Sequence, residues 1–365
     1  MFKNLMEGGE MKITDLKFEK IKIKLKKPFV ISRGATEYCE SIIVKITTNE
    51  GYYGFGEATP SRSVTGETID SVATVLKTFK EILIGQDPLA IERIHYILNK
   101  AIAGNTAAKA AVDIALYDIK GKVMQAPVYK ILGGFENKVQ TDITIGIGAP
   151  QEMANEAKES VDRGFNILKI KTGINLKNDV EAIRLIRKNA GDNIRMKIDA
   201  NQGWNIHDTL TAIKTLENYN IEAVEQPLAD WDFDGSALLR KKADMKIILD
   251  ESVHNAHDAM HAIKKDSADM INIKLMKSGG LYEAEKINAI AESAGINCMV
   301  GCMVETKVAL TAGASLVAAK RNITDADLDS FMYYEEFEGI KGGFEVEGDT
   351  IILSNKPGLG IEINM

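Results

Sequence analysis

Three short segments indicate the fold class, namely MKID at 196–199, AVE at 223–225 and ILD at 248–250. Each short apolar run ends in an acidic residue. Counted from Asp199 to Glu225 and from Glu225 to Asp250, the runs are 26 and 25 residues apart. This is about the length of one β-strand, one helix and two loops. The pattern therefore predicts a repeated strand–helix unit.

The same rhythm extends in both directions. Further runs end near Thr144, Lys171, Lys274, Met303 and Asp327, which makes eight predicted strands between residues 136 and 330. Eight strand–helix units are typical of a TIM barrel. A doubly wound open sheet is the alternative, but no Gly-x-Gly-x-x-Gly turn follows an early strand. We therefore predict an α/β barrel.

The first region has a different pattern. Residues 21–25 and 41–46 alternate apolar and polar side chains, which predicts antiparallel strands, and helix-length stretches follow at 69–83 and 106–124. We predict an α+β domain over residues 11–135, preceded by a flexible extension at residues 1–10. The last segment, residues 331–365, reads as short strands and turns and is expected to fold back onto this domain.

Composition limits the function classes. The 365 residues carry a formal net charge of −7 with both signs mixed along the chain, so no basic stripe indicates a nucleic-acid partner. The sequence shows no apolar run of membrane-spanning length and no signal-peptide pattern. Its three cysteines lack the spacing of a metal site or a disulfide scaffold. We expect a cytoplasmic protein and leave a homo-oligomer open.

Three consecutive strand ends carry the acids Asp199, Glu225 and Asp250. Catalytic groups of a TIM barrel lie at the C-terminal ends of its strands. Carboxylates that converge there repel one another unless a cation lies between them, and oxygen ligands favour Mg²⁺ or Mn²⁺. We therefore predict that these acids bind Mg²⁺, or Mn²⁺ in its place. The alternative is that each acid caps the helix after its strand.

Lysines occupy the second and sixth predicted strands. Lys169 and Lys171 are two residues apart and so share a face, and Lys274 ends the sixth strand on the opposite side of an eight-stranded ring. A carboxylate substrate at the metal would have Lys171 on one face and Lys274 on the other. We predict that these two lysines move an α-proton as base and acid. Lys169 is either a third catalytic group or the salt-bridge partner of an acid.

At these residues the sequence resembles the enolase superfamily, in particular its muconate-lactonizing subgroup. The matching motifs, spread over nearly the whole chain, are KIK at 169–171, DAN at 199–201, EQP at 225–227, DES at 250–252 and KLMKSGG at 274–280. The resemblance implies a (β/α)₇β barrel with an N-terminal capping domain that the C-terminal tail completes. It also implies proton abstraction through a metal-stabilised enediolate.

The end of the eighth strand contains Asp327 and Asp329. This arrangement is similar to that of the dipeptide epimerases, whose two acids hold the α-ammonium of the N-terminal amino acid. The resemblance implies an isomerase that inverts the α-carbon of the second residue of an L,L-dipeptide. The alternative is that both acids belong to a solvated loop.

Further residues are assigned to substrate binding. The loop around Arg33 lies over the barrel mouth in this family, and pairing of Arg33 with an acidic side chain would favour L-Ala-L/D-Glu. We also assign Thr144, Asn201 and Cys302 to this set. The rivals are an N-acylamino acid racemase, a muconate cycloisomerase or o-succinylbenzoate synthase of the same subgroup, and a non-catalytic metal-stabilised binding protein.

Overall fold

The structure, a computed structural model, describes residues 10–335 and 337–365. The predicted flexible extension lies outside the described residues, apart from Glu10. The first region is an antiparallel sheet followed by helices, as predicted. Its elements are β1 (Ile13–Ile31), β2 (Gly34–Thr48), β3 (Tyr53–Ala58), α1 (Ile69–Leu83), α2 (Ile91–Ala101), α3 (Thr106–Val123), α4 (Val128–Leu132) and β4 (Lys138–Gln140).

The second region is a nearly closed parallel barrel of eight strands, which confirms the predicted fold class. The strands are β5 (Ile143–Ile145), β6 (Ile167–Lys171), β7 (Arg195–Asp199), β8 (Ile221–Glu225), β9 (Lys246–Leu249), β10 (Met270–Lys274), β11 (Asn297–Gly301) and β12 (Ile323–Asp327). Their order in the sheet follows the sequence, from β5 to β12. The two edge strands meet where the Asp142 amide donates to the Ala326 carbonyl at 3.1 Å.

Helices follow the barrel strands. They are α5 (Pro150–Asp162), α6 (Leu176–Ala190), α7 (Ile206–Leu216), α8 (Phe233–Lys242), α9 (Ala256–Lys265), α10 (Leu275–Ser278), α11 (Leu281–Ser293) and α12 (Lys307–Ala319). The side chains of Asn205, Asp232 and Asn255 accept backbone amide hydrogens at the starts of α7, α8 and α9. These residues are the N-caps, so the acids at the ends of β7, β8 and β9 are free for another role. No described helix is both long and apolar enough to span a membrane.

Buried carboxylates join the first region to the barrel. Glu57 at the end of β3 accepts the amide hydrogens of Thr306 and Ala309 at 2.8 and 2.9 Å, at the start of α12. Asp113 on α3 accepts the amide hydrogen of Leu281, the first residue of α11. Negative charge at a helix N-terminus is favourable. These contacts fix the sheet β1–β3 and α3 against the barrel.

The C-terminal tail contacts both regions. It forms β13 (Ile340–Gly342), β14 (Phe344–Glu347), β15 (Thr350–Leu353) and β16 (Ile361–Ile363). Strand β13 pairs with β16, whereas β14 and β15 extend a sheet that includes β4. The Val128 amide donates to the Gly358 carbonyl at 2.9 Å, which ties the tail to α4. The domain limits at residues 135 and 330 stay a prediction.

Candidate active site

The C-terminal ends of β7, β8 and β9 bring the three predicted metal ligands to one side of the barrel mouth. Asp199 and Glu225 are opposite each other in the β7–β8 register, and Asp250 directly follows β9. All three side chains are buried. Backbone turns follow at once, because Asn201 and Gln226 adopt left-handed conformations with φ of 42° and 35°. Such backbone is uncommon outside glycine and is concentrated at functional sites.

Lysine ammonium groups pair with these acids. Lys171 Nζ is 2.6 Å from Asp199 Oδ2, and Lys274 Nζ is 2.9 Å from Asp250 Oδ2. Because β6 and β10 are four places apart in an eight-stranded ring, the two lysines face each other across the mouth. The predicted opposition of Lys171 and Lys274 is therefore present in the geometry.

Lys169 lies one layer below Lys171 and is fully buried. Its Nζ is 2.8 Å from Glu225 Oε2, 2.7 Å from Asp327 Oδ2 and 3.1 Å from Asp199 Oδ2. Burial lowers the pKa of Lys169, but the attraction of these acids, with Asp327 first, raises it well above its ordinary value. The ion pairs of Lys169 therefore link the predicted metal-ligand acids to Asp327. This geometry favours the salt-bridge role over proton transfer.

Two residues that sequence analysis missed hold Asp250 in place. The Gln226 side chain accepts the Asp250 amide hydrogen at 2.9 Å and donates to the Ser252 hydroxyl at 2.8 Å. Lys277 Nζ is 2.7 Å from Asp250 Oδ1 and donates to the Val253 carbonyl at 3.0 Å. Both lie in motifs quoted above, EQP and KLMKSGG, so the motifs carried a signal although the roles were not assigned.

Asp327 and Asp329 lie on the other side of the mouth, where both are buried. This burial overturns the alternative of a solvated loop. Thr144 donates its amide hydrogen to Asp329 at 2.6 Å and its hydroxyl to Asp327 at 3.3 Å. The Tyr333 hydroxyl donates to Asp329. Sequence analysis missed Tyr333, because it follows the eighth strand in a segment without a periodic pattern, although it lies only four residues after Asp329.

A third acid, Asp142, joins this pair. Among the described residues, the carboxylates of Asp142, Asp327 and Asp329 lie within 4.8 Å of one another, close enough to share one cation. Two lysines already contact this cluster, since Lys169 pairs with Asp327 and Lys197 with Asp142. Three carboxylates beside two ammonium groups suit a monovalent cation better than a divalent one.

Several acids of the site have shifted pKa values. Burial and the neighbouring Asp250 raise the pKa of Glu251 to about 7, and burial and Asp327 raise that of Asp329 to about 7. Burial opposes ionisation of Asp250 as well, but Lys274 and Lys277 hold its pKa below its ordinary value. Burial therefore opposes ionisation of these acids, and a direct lysine partner reverses the shift at Asp250.

The strand-end acids also fit a hard divalent cation. Their donor set is all oxygen, and among the described residues the buried atoms Glu225 Oε2 and Asp250 Oδ1 contact only the ammonium groups of Lys169 and Lys277, so each oxygen retains a lone pair for a cation. Among the residues described above, seven buried carboxyl groups stand against five buried ammonium groups, and the pKa values of Glu251 and Asp329, about 7, leave these two acids only partly ionised near neutral pH. The acids are Asp142, Asp199, Glu225, Asp250, Glu251, Asp327 and Asp329, and the lysines are Lys169, Lys171, Lys197, Lys274 and Lys277.

The remaining predicted residues line the mouth. A cavity of about 540 Å³ is bordered by Lys171, Lys274, Arg33, Asn201 and Cys302, with Thr144, Asp327 and Asp329 also in its wall. The side-chain amide of Asn201 donates to the Glu251 carboxylate at 3.3 Å. Arg33 is exposed, on the turn between β1 and β2. That turn covers the mouth, because the neighbouring Ser32 hydroxyl donates to the Ala200 carbonyl at 2.9 Å.

Comparison with known proteins agrees with this geometry. Residues 13–133 match the N-terminal domain of the mandelate racemase/muconate lactonizing enzyme family, and residues 152–365 match the enolase C-terminal domain-like family. The chain belongs to the mandelate racemase/muconate lactonizing enzyme family. This membership confirms the resemblance to the enolase superfamily that the motifs indicated.

Several members of the mandelate racemase/muconate lactonizing enzyme family are similar along nearly their whole length. The hydrophobic dipeptide epimerase of Enterococcus faecalis is 44% identical, with 96% of this chain and 99% of that protein covered. Its crystal structure, complexed with Mg and the dipeptide L-Leu-L-Tyr, has a TM-score of 0.94 over the same shares of both chains.

Two further family members differ in the reaction that their names describe. The L-Ala-D/L-Glu epimerase of Clostridium acetobutylicum is 41% identical, with 96% of this chain and 99% of that protein covered. The N-succinyl-L-Arg/Lys racemase of Bacillus cereus is also 41% identical, over 97% of this chain and 96% of that protein. Identity alone therefore does not separate a dipeptide substrate from an N-acylated amino acid.

Proposed function

We propose that the protein is a dipeptide epimerase that inverts the α-carbon of the C-terminal residue of an L,L-dipeptide. The observation that carries this proposal is the position of Lys171 and Lys274. Their ammonium groups lie on opposite strands and line one cavity, whose wall also contains Asp327 and Asp329. A substrate spanning this cavity would have its α-ammonium at the two acids and its α-carbon between the two lysines.

The lysines perform the inversion in this proposal. One of them, as the neutral amine, removes the α-proton from one face, and the other delivers a proton to the opposite face. Asp199, Glu225 and Asp250 would hold Mg²⁺, or Mn²⁺ in its place, whose charge stabilises the substrate carboxylate as the proton leaves. Asp199 and Asp250 also fix the lysines, because each accepts an ion pair from one of them.

The buried acids favour a free ammonium over an N-acyl group. A primary ammonium has three hydrogens to donate, and Asp327 and Asp329 supply carboxylate acceptors in a desolvated position. An N-acyl substrate would bring no positive charge to these carboxylates. The acids therefore support the dipeptide reaction over the racemisation of N-acylated amino acids.

Arg33 supports an acidic second residue. Among the described residues it forms no ion pair, although it borders the cavity. A glutamate side chain extending toward the turn between β1 and β2 would meet this guanidinium. We therefore propose L-Ala-L/D-Glu as the preferred substrate. We also propose that the protein acts in the cytoplasm and needs no nucleic-acid partner. The proposal is compatible with either a monomer or a homo-oligomer.

Isotope exchange tests the two-lysine mechanism. L,L-dipeptides are incubated with the protein and Mg²⁺ in D₂O, and deuterium gain is read by mass spectrometry and inversion by NMR. The wild type is expected to exchange the α-proton for deuterium and to invert the α-carbon. Lys171→Ala and Lys274→Ala should each lose inversion, because inversion needs removal on one face and delivery on the other. Exchange without inversion should then favour opposite isomers in the two variants.

A lysine remote from the mouth provides the control. Lys158 is on the exposed face of α5, where it pairs with Asp162 at 3.0 Å, and Lys158→Ala should retain both exchange and inversion. If either single mouth variant inverts both isomers at the wild-type rate, the opposed-lysine mechanism is wrong. If the wild type acts only on N-acylated amino acids, the reaction is the racemisation named above.

A further inference from the structure

A buried ion pair lies in the barrel interior, below the acids assigned to the substrate ammonium. Lys197 Nζ is 2.8 Å from Asp142 Oδ2, and both side chains are almost completely buried. Lys197 is on β7 two residues before Asp199, so both side chains point into the barrel. Asp142 directly precedes β5. The proposed chemistry uses neither residue.

Asp142 is directed toward the acids above it. Its carboxylate lies within 4.8 Å of those of Asp327 and Asp329. Its Oδ2 is paired with Lys197, and its Oδ1 is buried and accepts no hydrogen bond from the described residues. In contrast, Asp327 is hydrogen-bonded to Lys169, and Asp329 accepts the Thr144 amide hydrogen and the Tyr333 hydroxyl. Asp142 therefore depends on one ion pair, with Lys197, for its counter-charge.

We propose that Asp142 and Lys197 form a positioning pair that sets the charge of the Asp327–Asp329 site and thereby its preference for a free ammonium over a neutral N-acyl group. The inference rests on the proposed function and deepens it. Lys197 supplies the counter-ion that lets an acid remain at this depth, and Asp142 adds negative charge beneath the two acids that contact the substrate. Neither residue lines the cavity, whose wall contains Asp327 and Asp329, so the pair acts through these two acids.

The electrostatics of the cluster support this role. Burial raises the pKa of Asp142, Lys197 opposes that shift, and Asp327 and Asp329 reinforce it. A substrate ammonium between Asp327 and Asp329 would act in the same direction as Lys197, since an adjacent cation favours the charged carboxylate. Binding of a cation and ionisation of Asp142 therefore favour each other. Binding of a neutral N-acyl group is not strengthened by the charge of Asp142.

Binding of two matched ligands tests the proposal. The dissociation constants of L-Ala-L-Glu and its N-acetyl derivative are measured by calorimetry in the presence of Mg²⁺. Asp142→Asn should lower the preference for the free dipeptide about tenfold, mainly by weakening its binding, because one charge near a desolvated ammonium is lost. The double variant Asp142→Asn with Lys197→Met leaves no unpaired buried charge. Because the double variant also removes the positive charge of Lys197, its loss of preference should be smaller than that of the single variant and in the same direction. It covers failure of the single variant to fold.

Asp325 provides the matched control. It also faces Lys197, at 3.8 Å, but it lies two residues before Asp327 and outside the cluster. Asp325→Asn should keep the wild-type preference. An unchanged preference in both Asp142 variants, or equal weakening of both ligands, would reduce the pair to a structural role and overturn the proposal. Wild-type protein that binds the free dipeptide preferentially but never inverts it would refute the proposed function alone.

Discussion

Replacement of Lys169 by Met should destabilise the protein severely, because three buried carboxylates share this ammonium. Its Nζ lies 2.7 Å from Asp327, 2.8 Å from Glu225 and 3.1 Å from Asp199, with no exposed side-chain area. Met has a similar length and no charge. The variant therefore leaves these acids with one cation fewer while it keeps most of the packing.

The magnitude follows from opposing electrostatic contributions. At about 3 Å and an effective dielectric constant of about 20, each ion pair contributes roughly 5 kcal/mol of attraction. The variant no longer has to desolvate the ammonium, which offsets much of that loss. Removal of one partner from a buried ion pair typically lowers the free energy of unfolding by about 3–5 kcal/mol. We expect Lys169→Met to reach the upper part of this range.

Denaturant unfolding, with Mg²⁺ and with a chelator, measures the effect. Lys158→Met is the control, since its exposed pair with Asp162 should contribute less than about 1 kcal/mol. Mg²⁺ should reduce the loss in free energy of unfolding caused by Lys169→Met, because a cation bound to Glu225 and Asp199 would replace part of the missing positive charge. A variant within about 1 kcal/mol of the wild type under both conditions would refute the central role of Lys169.

Three further outcomes are expected. Chelation should abolish epimerisation, and added Mg²⁺ or Mn²⁺ should restore it. Glu225→Gln should lower activity by several orders of magnitude and retain the wild-type circular dichroism spectrum. Full activity of metal-free protein would contradict the assignment of the metal ligands. Arg33→Met should lower kcat/KM for Ala-Glu about tenfold relative to Ala-Leu, as expected for the loss of one charged hydrogen bond, and an unchanged ratio would exclude Arg33 from the site. Burial and Glu57 raise the pKa of Glu305 from 4.5 to about 8, so between these pH values the folded protein holds a proton that the unfolded chain releases. The free energy of unfolding should therefore fall as pH rises from 4.5 to about 8. Denaturation curves should show a weaker pH dependence for Glu305→Gln.

Local patterns predicted the barrel because each strand carries its own signal. The predicted helix at residues 69–83 has the bounds of α1, and the helix predicted at 106–124 ends one residue earlier, at Val123. The pairing of β4 with β15 was beyond such reasoning. It joins Lys138 to Ile352, more than 200 residues along the chain, and strands of three and four residues have too short a pattern to indicate a partner.

The site could be predicted where its residues end strands. Asp199, Glu225 and Asp250 were found because the fold class places strand ends together. Asp142 begins a strand instead, and its role depends on Lys197 from another strand. Alternation carried a signal, because Asp142 is two residues before Thr144 and Lys197 is two residues before Asp199. The alternation did not show that Asp142 and Lys197 would form an ion pair.

The charge of the barrel mouth connects the metal to the choice of substrate. Among the residues described above, carboxyl groups outnumber ammonium groups by seven to five, and burial, reinforced by the neighbouring Asp250 and Asp327, raises the pKa values of Glu251 and Asp329 to about 7. One divalent cation at the strand-end acids would offset this excess of acids. The backbone of a dipeptide then adds one carboxylate and one ammonium, and Arg33 at the cavity border would offset the second carboxylate of a glutamate side chain. An N-acylated amino acid adds the carboxylate alone, so a desolvated mouth with this set of residues should bind it less well.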